Sequence, residues 1–559
     1  MEKVWLAHYE PGVPHSIDYP SLSLYPLFQK SAQKYSQQTA IHFMGRDISY
    51  SELASHVECM SCALADLGVK KGDRVAIHLP NCTQFPIAFF AALAIGAVVV
   101  PCNPLYVARE MEYQLKDSGA ETIITLTRFY KMIKEIQPNT NIKNVIVSNL
   151  KDYFPGFLSF LYSVAREKKE GDRVELAGED YSFNELIGKY TGKTPPAVDV
   201  SPDNRAVFFY TGGTTGVSKG AVLLHRNLVA NCYQVKSWCT DYQDGKEVIL
   251  GVLPFIHSYG LTTILTLGLL NGAKLVLLPR FALADILSTI EKQKPTLFPG
   301  VPTIYVAINN AAELHKYNID SIRICISGAA PLPVEVQQQF EKNTGGRLVE
   351  GYGLSETSPV THANPVYGNR KPGSIGLPMP DTEFKIVDIE TGEKELPIGD
   401  IGELCIRGPQ LMEGYLDMPD ETAQSIRNGW FYTGDIARAD EDGYTYIVDR
   451  KKDMIITGGF NIYPRDVEEV LYSHPKISEA AVTGINDPHR GETLKAYIVI
   501  NEGEAMTAEE VIGYCKTNLA AYKIPKLVEF RKELPKTKIG KVLRRMLRDE
   551  EEKKAQDKQ

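Results

Sequence analysis

Short runs of apolar, β-branched residues alternate with stretches of helical periodicity from about residue 40 to residue 450. Such runs are typical of parallel strands that are buried on both faces, with the intervening helices packed against those faces. The pattern therefore predicts an α/β fold built on parallel sheets. The clearest predicted strands are 74–78, 122–125, 206–210, 274–278 and 322–327.

The organisation changes in the last third of the chain. Short strands separated by turns after about residue 377 predict a small β-rich lobe. A charged run, D-R-K-K-D at 449–453, then marks the predicted domain boundary. We therefore predict two domains, residues 1–451 and residues 452–559. The second is long enough for a small α+β fold, with helices predicted at 465–473 and 508–519 and strands at 479–484 and 495–500.

Charge and hydropathy argue against two classes of protein. With 61 Lys and Arg against 69 Asp and Glu, the net charge is −8, which argues against a nucleic-acid partner. The most apolar stretch, 85–102, approaches the length of a membrane-spanning helix, but Gly96 divides it. We therefore expect a buried helix, a turn and a buried strand. Nine scattered cysteines and no visible signal peptide predict free thiols and a cytoplasmic location.

Residues 153–171 interrupt the alternation with a stretch that is aromatic first and then basic. Two interpretations are open. The segment is either a surface excursion whose apolar side folds onto the body, or an interfacial helix that makes peripheral contact with the membrane. In the second case the side chains entering the headgroup layer are Phe154, Phe157, Phe160 and Leu161, and those facing anionic lipid are Arg166, Lys168 and Lys169.

A loop rich in glycine and threonine follows the predicted strand 206–210. Its sequence is Y-T-G-G-T-T-G-V-S-K-G, residues 210–220. The glycines let the backbone curl so that its N–H groups contact a ligand, the hydroxyl groups add donors, and Lys219 adds positive charge. These features predict an anion-binding loop, because a simple turn needs neither this composition nor the lysine.

Three further motifs carry polar groups suited to a nucleotide. E-G-Y-G-L-S-E-T at 350–357 offers the Tyr352 ring for stacking on a base and the Glu356 carboxylate for a hard cation. W-F-Y-T-G-D at 430–435 ends in Asp435, a carboxylate for ribose hydroxyl groups. L-P-K-T-K-I-G-K at 534–541 ends in Lys541, close to the C-terminus, where a lysine is usually a solvated charge.

Together these four motifs resemble those of the adenylate-forming enzymes, the superfamily of acyl-CoA synthetases, non-ribosomal adenylation domains and luciferases. The resemblance extends from about Ile48 to Leu547. It implies a large N-terminal part of two α/β subdomains plus a β-barrel-like lobe, and a small, mobile α+β C-terminal domain with its hinge at Lys452. One departure is Ser218, which stands where the family usually has proline.

The resemblance also implies roles for individual residues. Lys541, Glu356 and Lys219 would be catalytic, and Glu356 with Thr211 would bind Mg²⁺. Coenzyme A would contact Gly458, Gly459 and Phe460. The residues implied in ATP or AMP binding are Thr211, Gly212, Gly213, Thr214, Thr215, Gly216, Ser327, Gly328, Ala329, Ala330, Glu350, Gly351, Tyr352, Gly353, Ser355, Asp435, Ile447, Arg450 and Lys541.

The acyl group would lie in a pocket lined by 254–260 and 299–303, where the implied contacts are His257, Tyr259, Gly300, Val301 and Thr303. For His257 a second interpretation is equally open, namely a packed histidine with both ring nitrogens hydrogen bonded.

Within the superfamily, the glycine-rich loop, P-C-N-P-L-Y at 101–106 and K-P-G-S-I-G-L-P at 371–378 resemble bacterial long-chain fatty-acid–CoA ligases. This resemblance implies a fatty acid, ATP and coenzyme A as substrates, joined through an acyl-adenylate. Two alternatives are open: a ligase for an aryl or shorter acid on the same scaffold, and a non-catalytic protein that binds a nucleotide or acyl-adenylate. The motifs leave open the acyl chain length and whether the protein is a homodimer.

Overall fold

The computed structural model describes residues 3–211, 218–457, 460–487, 491–536 and 542–556. These residues form two compact units. The larger unit contains Trp5–Glu383 and Arg407–Gly429, and the smaller unit contains the described residues of Met1–Val4, Phe384–Ile406 and Trp430–Gln559. The domain boundary predicted at residue 452 lies inside the smaller unit and stays a prediction.

The larger unit is built around a sheet of eight strands. Six neighbouring strands are parallel, as the alternation predicts. Two further strands extend one edge, each antiparallel to its neighbour. The strand order is Gly414–Tyr415, Lys219–Leu224, Arg205–Thr211, Val98–Pro101, Arg74–His78, Thr122–Leu126, Asn144–Ser148 and Tyr181–Ser182.

Both faces of this sheet are covered, because every residue of Val98–Pro101 and Thr122–Leu126 is buried. The stretch 85–102 forms the buried helix Gln84–Ala94, a turn at Gly96 with φ of 73°, and a strand, which confirms the prediction. Among the described residues, no helix has the length and apolar character needed to cross a membrane. The α-helices of the larger unit are Leu24–Lys34, Tyr50–Asp66, Gln84–Ala94, Ala108–Ser118, Thr127–Ile136, Gly156–Ala165, Phe183–Lys189, His225–Trp238, Ser258–Gly260, Leu267–Leu270, Leu283–Gln293, Pro302–Asn309, Val334–Thr344 and Pro419–Ser425.

Two four-stranded sheets complete the larger unit. Leu297 bridges to Ile249 in one sheet and to Ile324 in the other, so the two are connected. Each combines parallel strands with antiparallel strands at one end. Their strand orders are Val248–Gly251, Lys274–Leu277, Thr39–Phe43 and Arg46–Ser49, and Ile324–Ser327, Arg347–Gly353, Val360–Ala363 and Leu377–Pro378.

The segment 153–171 contradicts one part of each interpretation of its sequence, and its contact with a membrane stays a prediction. It contains the helix Gly156–Ala165. The prediction that Phe154 faces lipid is wrong, because its ring is buried against Phe43 and Tyr162. Folding of the apolar side onto the body is equally wrong for Phe157 and its neighbours one turn further on, which are exposed.

The smaller unit contains two sheets, the first of which occupies the predicted β-rich lobe. Four of its five strands are Glu383–Val387, Gly402–Arg407, Trp430–Ala439 and Thr445–Arg450, and the fifth is the two-residue strand Ile426–Arg427. The second is the predicted α+β region, with strands in the order Phe460–Ile462, Ile455–Thr457, Gly491–Ile500 and Ile477–Asp487, and with Leu527–Phe530 parallel to Gly491–Ile500. The α-helices in the described part of this unit are Pro464–Tyr472, Ala508–Asn518 and Arg544–Gln556.

Candidate functional site

The predicted anion-binding loop connects two adjacent antiparallel strands of the eight-stranded sheet. Thr211 ends one strand, Lys219 begins the next, and the two residues are paired in register. Ser218 donates a 2.9 Å hydrogen bond from Oγ to the carbonyl of Thr211, and the Tyr113 hydroxyl donates to the carbonyl of Ser218 at 2.8 Å. The sheet therefore holds both ends of the loop. Residues 212–217 lie outside the described ranges, and they include the predicted binding residues Gly212, Gly213, Thr214, Thr215 and Gly216.

A network of side chains surrounds the ammonium group of Lys219. Its Nζ pairs with the carboxylate of Glu421 and lies 5.4 Å from the centre of the Tyr415 ring. Tyr415 in turn donates a 2.9 Å hydrogen bond to Oε1 of Glu356. Tyr415 occupies this position because its strand pairs with Lys219–Leu224 at the edge of the sheet. Lys219 and Glu356 thus contact opposite parts of one tyrosine.

Burial sets the electrostatics of this network. Desolvation and the neighbouring Glu356 carboxylate raise the pKa of Tyr415 well above its usual value, so the phenol stays protonated and donates. The Lys219 side chain is only 12% exposed, which strengthens its interaction with any anion it contacts. Neither Tyr415 nor Glu421 lies in one of the sequence motifs, so the motifs predicted no role for either residue.

Two parallel strand ends bring the predicted adenine-binding residues together. Ser327 is the register partner of Glu350, so the residues that follow each leave the same edge of the sheet. The Oγ atom of Ser327 is buried, and within the described part of the chain it has no hydrogen-bond partner. The residues gathered at this edge are Ser327, Gly328, Ala329, Ala330, Glu350, Gly351, Tyr352 and Gly353.

Tyr259 links the predicted acyl site to this edge. Its hydroxyl donates a 2.6 Å hydrogen bond to the carbonyl of Ile326, and its ring lies so close to Gly328 that a Cβ there would come within 3.0 Å of it. Gly300 forms a parallel bridge with Ser327. The backbone then continues through the buried Val301 to the exposed Thr303.

His257 precedes the helix Ser258–Gly260, which continues as the π-helical segment Leu261–Thr266. Its side chain is exposed, yet the surrounding protein lowers its pKa, so the imidazole is neutral at neutral pH. Among the described residues it makes no side-chain hydrogen bond. A packed histidine with both nitrogens satisfied does not fit these observations. Ser355 lies nearby in this region, where its Oγ accepts from Ser258 at 3.3 Å.

The smaller unit places the predicted ribose-binding residues side by side. Asp435 and Arg450 are register partners on antiparallel strands, and Nε of Arg450 lies 2.5 Å from Oδ1 of the buried Asp435. Ile447, on the same pair of strands, accepts a 2.8 Å hydrogen bond at its carbonyl from Arg465. Antiparallel pairing thus explains how a carboxylate and a guanidinium from different motifs meet.

The predicted hinge residue Lys452 lies in the short 3₁₀ turn Lys451–Asp453. Its carbonyl accepts a 3.1 Å hydrogen bond from Arg548, whose guanidinium also pairs with Asp453 at 2.5 Å. Phe460 begins a strand and is paired with Thr457. Gly458, Gly459 and Lys541 lie outside the described residues.

The donor set at Glu356 fits a magnesium ion. The described residues contain no group of three or more His, Cys, Asp or Glu side chains that could hold a metal. Magnesium, however, is often bound by one or two carboxylates together with phosphate oxygens and water. The half-buried Glu356 carboxylate, oriented by Tyr415, suits that arrangement. The other predicted ligand, Thr211, has its Oγ1 3.5 Å from the carbonyl of Lys219.

Comparison with known proteins agrees with this assembly of motifs. A family model described as AMP-binding enzyme matches residues 28–416, and one described as AMP-binding enzyme C-terminal domain matches residues 466–541. The chain is 44% identical to a long-chain-fatty-acid–CoA ligase of Bacillus subtilis (strain 168), with 98% of each chain covered. It is 38% identical to a protein of the same name from Escherichia coli O6:H1, with 100% of each covered. The solved structure of ATP-bound MatB from Rhodopseudomonas palustris has a TM-score of 0.83 and 30% identity, and covers 94% of this chain and 99% of its own.

Proposed function

The chain belongs to the AMP-binding enzyme family, and we propose that it is an ATP-dependent long-chain fatty-acid–CoA ligase. In the first half-reaction the fatty carboxylate attacks the α-phosphorus of ATP, which gives an acyl-adenylate and pyrophosphate. In the second, the thiol of coenzyme A attacks the acyl carbon and AMP leaves. The observation that carries this proposal is the 44% identity, over 98% of both chains, to a ligase of that name.

The first half-reaction must bring an anionic carboxylate to an anionic polyphosphate. Positive charge and N–H donors in a water-poor site offset that repulsion. Lys219 is suited to this role, because its poorly solvated ammonium group already contacts a carboxylate, that of Glu421. When ATP binds, a phosphate oxygen would take the place of the Glu421 carboxylate, so the ammonium group of Lys219 would keep an anionic partner. The resemblance assigns a second positive charge, near the transferring phosphorus, to Lys541.

Glu356 would hold Mg²⁺, which would neutralise part of the phosphate charge. The contribution of the chain itself is orientation. The Tyr415 hydroxyl directs Glu356 by donating to one of its carboxylate oxygens, and the Tyr415 ring lies beside Lys219. Through these two contacts, Tyr415 would hold the Glu356 carboxylate and the Lys219 ammonium group where both act on the same polyphosphate.

Nucleotide recognition is divided between two sets of residues. In the larger unit, the strand ends at Ser327 and Glu350 would frame adenine, with the buried Oγ of Ser327 available to the base. In the smaller unit, the Asp435 carboxylate would accept hydrogen bonds from the ribose hydroxyl groups, while Arg450 orients that carboxylate.

The second half-reaction needs no protein nucleophile, because the acyl-adenylate is already a mixed anhydride. We assign the reorientation that admits coenzyme A to the turn at Lys452, and the thioester step to the region of Gly458, Gly459 and Phe460, as the resemblance implies. A cytoplasmic location fits the nine cysteines, all of which are buried free thiols.

Thioester formation across a ladder of acids tests the proposal and its alternatives. The purified chain is supplied with ATP, Mg²⁺ and coenzyme A, together with saturated acids from about four to twenty carbons or with cinnamic acid, since each buried methylene adds about 0.8 kcal/mol of binding. We expect kcat/KM to rise with chain length into the long-chain range. If kcat/KM is highest with cinnamate or a short acid, that class of acid replaces the long-chain fatty acid as the proposed substrate. Binding of ATP without pyrophosphate release would favour the non-catalytic alternative.

A further inference from the structure

The two ends of the anion-binding loop are joined by one contact beyond the strand register. Pairing between the strands Arg205–Thr211 and Lys219–Leu224 ends at the pair Thr211 and Lys219. Past that pair, Oγ of Ser218 donates a 2.9 Å hydrogen bond to the carbonyl of Thr211. This bond joins the residues on either side of 212–217, so the side chain of Ser218 extends the connection between the two ends by one residue.

A helix outside the two strands holds the same end of the loop. Tyr113 lies in the helix Ala108–Ser118, and its hydroxyl donates a 2.8 Å hydrogen bond to the carbonyl of Ser218. Ser218 is thus bonded through its carbonyl to Tyr113 and through its hydroxyl to Thr211. Two bonds on opposite sides of one residue restrict rotation of its backbone.

Asp117 connects this helix to the other strand. It lies one helical turn after Tyr113, whose hydroxyl is 3.4 Å from its Oδ1. Its Oδ2 accepts a 2.7 Å hydrogen bond from the hydroxyl of Tyr210, the residue before Thr211. The Tyr210 ring packs against its register partner Gly220, where a Cβ would come within 3.3 Å of the ring. One carboxylate therefore contacts the tyrosines that act on both strands.

The charge of Asp117 is best explained by these hydrogen bonds. Burial and the nearby carboxylate raise the pKa of Tyr113 and of Tyr210, so both phenols stay protonated and can donate. In the part of the chain that the structure describes, Asp117 has hydrogen bonds to these two hydroxyl groups and no ion pair. An unneutralised carboxylate near a loop for anions repels phosphate. Its benefit must lie in what it holds.

We propose that Tyr113 and Asp117 are positioning residues for ATP, which fix Ser218 and Tyr210 and so hold the ends of the loop in place before the phosphate groups bind. This inference rests on the proposed function, which assigns the loop to ATP. A loop whose ends are already fixed loses less conformational entropy on binding. The effect should therefore appear in the affinity for ATP rather than in the chemical step.

Three single variants of the full-length protein test the proposal. Tyr113→Phe removes the hydroxyl bonded to Ser218 and keeps the ring. Ser218→Ala removes the bond to Thr211. Asp117→Asn removes the charge and one of the two carboxylate acceptors. For each variant, steady-state kinetics gives kcat and the KM values, and calorimetric titration gives the dissociation constant for ATP with Mg²⁺.

Two matched controls remove similar hydrogen bonds elsewhere in the larger unit. Tyr9→Phe removes a 2.7 Å bond from a tyrosine hydroxyl to the carbonyl of Pro378. Ser237→Ala removes a 2.8 Å bond from a serine hydroxyl to the carbonyl of Tyr233. Both controls should match wild type in their affinity for ATP.

We expect the KM and the dissociation constant for ATP to rise about two- to tenfold in Tyr113→Phe and in Ser218→Ala, the range that follows from loss of one hydrogen bond. The kcat should stay within about twofold of wild type, and the KM for coenzyme A should not change. Asp117→Asn should also weaken ATP binding, whereas relief of charge repulsion alone would strengthen it.

Ser218→Pro separates restriction of the backbone from the hydroxyl group itself. Proline lacks the hydroxyl, but its ring fixes φ, and the family usually has proline at this position. We expect Ser218→Pro to have a KM for ATP closer to wild type than Ser218→Ala has. When combined with Tyr113→Phe, it should recover part of the lost affinity. If proline weakens ATP binding as much as alanine does, restriction of the backbone is not the cause and the proposal is overturned.

The proposal is also overturned if test and control variants bind ATP alike, if Asp117→Asn binds ATP more tightly than wild type, or if the loss falls on kcat alone. Circular dichroism and the thermal midpoint establish that each variant is folded. A wild type that binds ATP without forming a thioester would refute the proposed function, while the dissociation constants would still decide the role of Tyr113. Normal turnover with unchanged affinity in all three variants would refute the positioning role alone.

Discussion

Tyr415 donates its hydroxyl hydrogen to Oε1 of Glu356 across 2.9 Å. The two residues lie in different elements, a two-residue edge strand and a 3₁₀ turn. Because the same tyrosine ring lies beside Lys219, the position of the carboxylate that we propose as the metal ligand is coupled to that of the lysine that we propose to neutralise phosphate. This coupling is open to direct tests by substitution.

Tyr415→Phe should weaken Mg²⁺-dependent adenylation by about tenfold to a hundredfold. The ring stays beside Lys219, but a hydrogen bond to a charged acceptor is lost, which costs about 1.5–3 kcal/mol. Pyrophosphate release measured at varied Mg²⁺ should show a higher half-saturating concentration. Tyr367→Phe is the control, since it removes a hydroxyl–carboxylate bond to Asp241 elsewhere in the same unit. An unchanged Mg²⁺ dependence in Tyr415→Phe contradicts this role.

Glu421→Gln should lower the KM for ATP by about two- to fivefold with little change in kcat. The half-exposed carboxylate competes with phosphate for the ammonium group of Lys219, and ion pairs of this exposure are worth up to about 1 kcal/mol. Steady-state kinetics at varied ATP measures the effect. Glu413→Gln, which breaks an ion pair with Arg205, is the matched control. A rise in KM would mean that Glu421 positions Lys219 rather than competing for it.

Lys541→Ala should abolish formation of acyl-adenylate from acid and ATP, yet largely spare thioester formation from supplied acyl-AMP. The charge of this lysine is needed while negative charge develops around the α-phosphorus, and that stage is past once the adenylate exists. The two half-reactions are measured separately by pyrophosphate release and by thioester formation. Equal loss in both refutes the assignment.

Stability of the larger unit should fall as the pH drops below about 6.5. Burial lowers the pKa of His78, His225 and His362 to about 3 each. In the unfolded chain histidine titrates near 6.5, so between these values the unfolded state binds more protons and gains stability as pH falls. Each histidine contributes up to about 1.4 kcal/mol per pH unit to the fall in the free energy of unfolding.

Urea unfolding at pH values from about 7 to 5 measures this dependence. His225→Asn should show a shallower fall in the free energy of unfolding, whereas His315→Asn, at an exposed position, should fall as steeply as wild type. Identical slopes in all three proteins would show that His225 has the same pKa in the folded and unfolded states.

Local periodicity predicted much of the fold. The strand predicted at 122–125 is Thr122–Leu126, and the helix predicted at 508–519 is Ala508–Asn518. Burial patterns within one element determine such assignments, so no knowledge of distant residues is needed. The same holds for 85–102, where a glycine and a change to β-branched residues separate helix from strand.

Contacts between residues far apart in the chain could not be predicted from local sequence patterns. Tyr415 acquires its partners because two residues of edge strand pair with Lys219–Leu224, far earlier in the chain, and no local period records that register. Phe154 illustrates the same limit. The composition of its segment suits a lipid-facing helix, but Phe154 precedes Pro155, the residue that caps the helix Gly156–Ala165. The Phe154 ring packs against Phe43, which comes from a strand far earlier in the chain.

The hydrogen bond from Arg548 to the carbonyl of Lys452 joins residues 96 positions apart. If Lys452 is the pivot, its carbonyl oxygen lies on the side of the rotating bonds that leads to Asp453, so a change of the Lys452 torsions carries that oxygen and Asp453 together. Both contacts of Arg548 are then kept in either arrangement, and the C-terminal helix turns with the residues that follow the pivot.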